Sequence, residues 1–130
     1  MDKRWYIKIW TERKYLDFWS LNHILAGCML ASIFIFFNIS FLTSIIISFL
    51  ILLAWEFFEF FAGIHETMEN KILDVIIGLL GFFITYYLMN NNIFNNLTLF
   101  LIIFFPFLIL ETWGWLAYEK LHQNNEKIKI

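Results

Sequence analysis

Four long runs of apolar residues constrain this chain more than any other feature of its sequence. They cover about residues 18–37, 41–63, 70–89 and 93–118, and a helix needs ~20 such residues to cross a bilayer. Because lipid offers no water to backbone N–H and C=O groups, the runs must form helices or barrel strands. Barrel strands would alternate apolar and polar residues, whereas these runs are continuous. The sequence therefore predicts four transmembrane helices.

The connections between the runs are short, which favours antiparallel neighbours. We expect an all-α membrane protein, with residues 18–118 forming one four-helix bundle of up-down-up-down order and residues 119–130 forming a polar tail. Composition agrees, because only 15% of the residues are charged, against ~25% in a soluble domain. Both a soluble globular domain and a disordered chain are thereby excluded.

Residues 1–17 differ from the rest of the chain, because basic and aromatic residues alternate there. The basic residues are Lys3, Arg4, Lys8, Arg13 and Lys14. This mixture is typical of an amphipathic segment that lies in the membrane interface. We predict such a segment before the first transmembrane helix.

Positive charges predict the orientation of the bundle. All nine Lys and Arg residues fall in the N-terminal segment, in or beside the connection between the second and third runs, or at the C-terminal end. By the positive-inside rule, both termini of this integral membrane protein should be cytoplasmic. The net charge of −2 offers no basic surface for nucleic acid, and the single Cys28 allows no internal disulfide.

Ionisable residues occur inside all four predicted helices, in one narrow layer. A rise of ~1.5 Å per residue places them ~6–10 Å from the side of the membrane that holds the termini. They are His23, Glu56, Glu59, Asp74 and Glu111. Because an unpaired carboxylate in the membrane costs at least ~2.5–3.5 kcal/mol, these groups must carry protons, bind a cation or face a water-filled cleft.

In the first three helices, the ionisable residues share a face with small residues. The stripes are His23, Gly27 and Ala31; Glu56 and Glu59 with Ser44 and Ser48; and Asp74 with Gly78, Gly81 and Thr85. Because small residues let membrane helices approach closely, we expect these faces to point inward and bring the ionisable groups together.

Carboxylates combined with an imidazole suit a divalent cation such as Mg²⁺, Mn²⁺ or Zn²⁺. The predicted catalytic or metal-binding residues are His23, Glu56, Glu59 and Asp74. His65, in the connection between the second and third helices, is a further candidate metal ligand. Glu111 and Glu69 are secondary candidates.

Three motifs occur in order between residues 17 and 89. They are Asp17…His23-x-x-x-Gly27, Glu56-x-x-Glu59 and Asp74-x-x-x-Gly78-x-x-Gly81. The set resembles the YjdF-like integral membrane proteins and, more distantly, the VanZ-like family. The resemblance implies a compact helical membrane fold that has these acidic positions as its signature, and it implies no activity. YjdF-like proteins tend to have a longer connection before the third motif, whereas here the connection is short and carries His65.

The residues leave three functions open. The first is a metal-dependent enzyme or binder that acts on lipid or polyprenyl-linked head groups. The second is a subunit of a proton-coupled or cation-coupled transporter, and the third is a non-catalytic accessory or assembly protein whose polar layer holds the helices together. Membrane lipids are the expected partners, and either a homo-oligomer or a second membrane protein is compatible with the sequence.

Overall fold

A computed structural model describes residues 9–10, 15–64, 66–91, 93 and 95–128 of the chain, with side chains as far as Lys120. It contains the helices α1 (Trp19–Phe36), α2 (Phe41–Phe61), α3 (Met68–Asn90) and α4 (Asn96–Ile128). No strand occurs in this described part. The prediction of an all-α four-helix bundle is confirmed. The backbone of α4 continues well past residue 118, since no proline or glycine interrupts its last turns.

Side-chain oxygens stabilise the starts of the first three helices. Asp17, Ser40 and Thr67 accept hydrogen bonds from backbone N–H groups in the first turns of α1, α2 and α3, at 2.9, 3.3 and 3.2 Å respectively. These bonds satisfy donors that have no partner within the helix. After α2, the chain turns through Gly63, whose φ of 85° is a conformation that suits glycine.

The helices alternate in direction, as two contacts between their ends show. The side-chain amide of Asn70, at the start of α3, donates to Asp17 before α1 at 3.3 Å. The hydroxyl of Tyr118 in α4 donates to the carbonyl of Ala62 after α2 at 3.4 Å. We call this end of the bundle the Asp17 end. At the opposite end, Phe34 of α1 packs in one cluster with residues from the start of α2 and the end of α3.

The central helix is α1, which packs against the other three and most extensively against α3. Glycines bring these two backbones together. A Cβ atom added to Gly27 would overlap the carbonyl oxygen of Gly78, and one added to Gly81 would overlap the carbonyl oxygen of Ile24. Because small residues remove the steric barrier between membrane helices, this pair of helices forms the closest contact in the described bundle.

An aromatic collar of Trp10, Phe18, Trp19, Trp113 and Trp115 attaches α4 to the start of α1. The ring of Trp10 lies 4.8 Å from that of Trp19 and 5.6 Å from that of Trp113, in edge-on geometries that aromatic pairs prefer. The indole N–H of Trp19 donates to the carbonyl of Trp10 at 3.2 Å. Most of the predicted interfacial segment 1–17 lies outside the described residues.

The outer faces of the helices are apolar. All four helices are long and apolar enough to cross a membrane, and many Phe, Leu and Ile side chains are more than one third exposed. Hydrocarbon contact accounts for such surfaces, and the chain is an integral membrane protein. The cytoplasmic location of both termini stays a prediction.

We expect Gly27→Ala to lower the free energy of unfolding by about 1–3 kcal/mol, because the new methyl group must displace the backbone of α3. Denaturant unfolding in detergent measures this change. Ala54→Val on the exposed face of α2 is the control and should stay within about 0.5 kcal/mol of wild type. Equal stability of the two variants would contradict the close contact between α1 and α3.

Candidate functional site

His23 lies at the centre of a buried polar cluster near the Asp17 end. Its Nε2 atom is 3.6 Å from Glu56 Oε1 of α2 and 3.9 Å from Asp74 Oδ2 of α3. The three residues are 3%, 5% and 0% exposed. The inward stripes therefore bring three predicted site residues from three helices into one group, as the sequence predicts.

Glu59 completes the group one turn from Glu56, on the same face of α2. One ligand atom from each of His23, Glu56 and Glu59 can be chosen so that all three lie within 4.8 Å of one another. Trp55 holds Glu59 in place, because its indole N–H donates to Glu59 Oε1 at 2.8 Å. Both carboxylate oxygens of Glu56, and Oε2 of Glu59, lack a hydrogen-bond partner in the described part of the chain.

The spread of these atoms is somewhat wider than one metal ion requires. With bonds of about 2.0–2.2 Å to nitrogen and oxygen ligands in a tetrahedral site, the ligand atoms lie about 3.3–3.6 Å apart. From a spread of up to 4.8 Å, the side chains would need to close by about 1 Å. Ionised carboxylates are acceptors only, so a cation bound between Glu56 and Glu59 would supply the positive charge that their unpaired oxygens lack.

Asp74 connects this group to the surface of the bundle. The side-chain amide of Asn70 donates to Asp74 Oδ2 at 3.2 Å and to Asp17 Oδ2 at 3.3 Å. Asn70 is completely buried, so its two N–H groups link the start of α3 to the residue that caps α1. Asp74 is thus partly satisfied by the protein, in contrast to Glu56.

Glu111 lies outside the group and has its own donors. Asn22 Nδ2 donates to Glu111 Oε2 at 2.9 Å, and the indole N–H of Trp115 donates to Oε1 at 2.8 Å. Both oxygens are paired, and the interaction with Asn22 joins α4 to α1.

Glu69 is exposed in the first turn of α3, away from the buried group, and His65 lies outside the described residues.

The amides and indoles that hold these acids were not among the predicted site residues. Two of them had a signal in the sequence, since Trp55 and Glu59, and Glu111 and Trp115, are spaced i, i+4 and share a helix face. Asn22 and Asn70 had a weaker signal, because an amide close in sequence to an intramembrane ionisable residue can face any neighbour.

An apolar crevice adjoins the group, between α2 and α4 on the face of α1. Its volume is about 180 Å³. Lining residues include Trp19, Asn22, His23, Glu59 and Glu111 toward the Asp17 end, and Ala26, Met29, Leu30, Ile51, Leu52, Trp55 and Phe107 along the rest. The buried polar group therefore borders a space that extends along the apolar side chains of the bundle.

The polar group ends abruptly on the side away from Asp17. Leu52 is 2% exposed and lies one turn from Glu56; its methyl carbons pack 2.8 and 2.9 Å from the point where a Gly78 Cβ would be. Ser48, one further turn along α2, has no hydrogen-bond partner within the described chain. Leu52 thus separates the group from the more distant polar side chain.

Comparisons of the chain with protein-family models, with curated proteins and with solved structures each find no match. The resemblance to the YjdF-like and VanZ-like families stays a prediction.

We expect Asn70→Ala to lower the free energy of unfolding by about 1–3 kcal/mol, because two buried or half-buried carboxylates lose a donor. Asn91→Ala is the control: the Asn91 amide donates only to a carbonyl of its own helix at an exposed position, and its loss should cost less than about 0.5 kcal/mol. Thermal unfolding in detergent compares the two. If Asn70→Ala is as stable as wild type, the bridge does not stabilise the bundle.

Proposed function

We propose that this chain is a membrane-embedded metal protein that acts on the head group of a lipid or polyprenyl-linked molecule. His23, Glu56 and Glu59 hold a divalent cation. The observation that carries the proposal is the set of three unpaired carboxylate oxygens on two residues that are 5% and 1% exposed, beside an imidazole.

Burial makes these oxygens costly without a partner. Removing a carboxylate from water costs several kcal/mol unless an opposite charge or donors replace the solvent. Two of the donors near the group bind elsewhere, since Trp55 binds the other oxygen of Glu59 and Asn70 binds Asp74. A cation supplies the missing charge, and its ligands would join α1 to α2.

The ligand types favour Zn²⁺, with Mn²⁺ as the next choice. One imidazole and two carboxylates are ligand types that Zn²⁺ accepts, and three protein ligands leave a fourth position for water or a substrate oxygen. Mg²⁺ prefers oxygen ligands and retains several waters, which a buried pair of side chains accommodates poorly. An ion held in this way can polarise a phosphoryl or carbonyl oxygen.

The position of the group supports a lipid-like substrate. It lies inside the bundle near the Asp17 end, ~6–10 Å from that side of the membrane by helix rise, and the apolar crevice begins beside it. A transport pathway has less support, because Leu52 closes the group toward the other end of the bundle. A purely structural role is least compatible with Glu56, whose oxygens accept no hydrogen bond from the described residues.

We expect the protein purified in mild detergent to contain near-stoichiometric Zn²⁺ or Mn²⁺, measured by mass spectrometry of the elements. Glu56→Gln and His23→Ala should each lower metal affinity by about tenfold or more, because each removes a direct ligand. Glu111→Gln is the matched control, since that carboxylate is bound by Trp115 and Asn22, and it should retain the metal. Equal metal content in Glu56→Gln and Glu111→Gln would refute the site.

Metal removal should also destabilise the fold. A ligand that binds only the folded state stabilises it by about 2.7 kcal/mol at about 100 times its Kd. We therefore expect a chelator to lower the Tm of the wild type by roughly 10 °C and to leave the Tm of Glu56→Gln unchanged. An identical Tm of the wild type with and without chelator, in protein shown to contain metal beforehand, would contradict a cation that joins α1 to α2.

A further inference from the structure

The residues that line the crevice between α2 and α4 change from polar to apolar types in the same direction on all three helices, while the exposed wall is almost entirely apolar. On α1, Asn22 and His23 lie nearer the Asp17 end than Ala26 and Met29. On α2, Glu59 lies toward the Asp17 end and Ile51 lies deeper. On α4, Glu111 lies toward that end and Phe107 lies deeper. A space graded in this way matches an amphiphile whose head lies at the Asp17 end and whose chain points toward the membrane centre.

The size of the crevice fits hydrocarbon and excludes a helix. At about 180 Å³ it exceeds the apolar cavity of about 150 Å³ that stays dry and takes up benzene. A helix is about 10–12 Å across with its side chains and cannot enter it. An empty apolar cavity destabilises a bundle in proportion to its volume, so hydrocarbon from the bilayer has a reason to occupy it.

Contacts at the Asp17 end determine where a hydrocarbon chain can enter the crevice. There α2 and α4 meet through the rings of Phe58 and Trp115, 6.1 Å apart, and through the bond from Tyr118 to Ala62. The crevice lies deeper than these contacts, and the faces of α2 and α4 beside it are exposed and apolar. The accessible route for a chain is therefore sideways, from the bilayer between α2 and α4.

We infer that the crevice binds a single hydrocarbon chain of an amphiphile, which enters laterally between α2 and α4. The head group then lies beside His23, Glu59 and Asn22. The inference rests on the proposed function only in assigning this hydrocarbon chain to the substrate. The binding of the hydrocarbon chain itself does not require a metal.

A photo-reactive amphiphile tests the inference. The full chain is placed in phosphatidylcholine nanodiscs with a long-chain monoalkyl phosphate that carries a diazirine at mid-chain, and labelled peptides are mapped by mass spectrometry. We expect saturable labelling at Met29, Ile51 and Phe107, and competition by unlabelled monoalkyl phosphate. Ala26→Phe, which fills the crevice, should weaken labelling by about tenfold, equivalent to losing contact with two methylene groups.

Ala54→Phe is the matched control, because Ala54 is exposed on α2 and does not line the crevice; it should label as wild type does. The map of the wild-type protein does not depend on whether Ala26→Phe folds. Non-saturable labelling, or labelling spread evenly over the outer faces of the helices, would overturn the inference. Cross-links to a second copy of the protein would identify a different occupant and overturn the inference.

Metal content measured on the same samples separates the two proposals. Saturable crevice labelling in a protein that holds no metal supports the chain site and refutes the metal centre. Bound metal without saturable labelling supports the metal centre and refutes the chain site. Glu56→Gln should lose metal and keep the label at Met29 and Phe107, since its side chain does not line the crevice.

Discussion

The close contact between α1 and α3 is the constraint on which the rest of this bundle depends. Gly27 lies against the backbone of Gly78, and Gly81 against that of Ile24, so neither helix can move away or rotate without losing the contact. The same contact brings His23, one turn before Gly27, to Asp74, one turn before Gly78. It also leaves α2 and α4 on the flanks of α1, which creates the space between them.

The buried acids differ in the hydrogen-bond donors that the protein supplies to them, and this difference supports the proposed ligand role of the unpaired acids. Glu111 receives two N–H donors from side chains of the protein, and Asp74 shares the amide of Asn70 with Asp17. Glu56 receives none from the described residues and faces an imidazole. A polar layer that served only to hold helices together would pair its acids with donors, as it does for Glu111.

Much of the fold follows from the sequence, because lipid leaves a continuous apolar run few alternatives to a helix. The meeting of His23, Glu56 and Asp74 was predictable as well, since depth and the stripes of small residues specify both the level and the inward face. Which helices pack next to each other was not predictable from the sequence. A stripe such as His23, Gly27 and Ala31 indicates which face is buried, but the central place of α1 and the marginal place of α4 depend on how large side chains interlock. The roles of Asn22 and Asn70 depend on the same packing.

The order of residues along the chain has a consequence for assembly in the membrane. All three proposed metal ligands lie on α1 and α2, and their supports Asn70 and Asp74 lie at the start of α3. Synthesis therefore completes this group before α4 exists. The crevice acquires its second wall only when Trp113 and Trp115 reach the Trp10 and Trp19 rings made at the beginning. Until the aromatic collar forms, the incomplete bundle exposes its polar group on the side of α1 that α4 later covers.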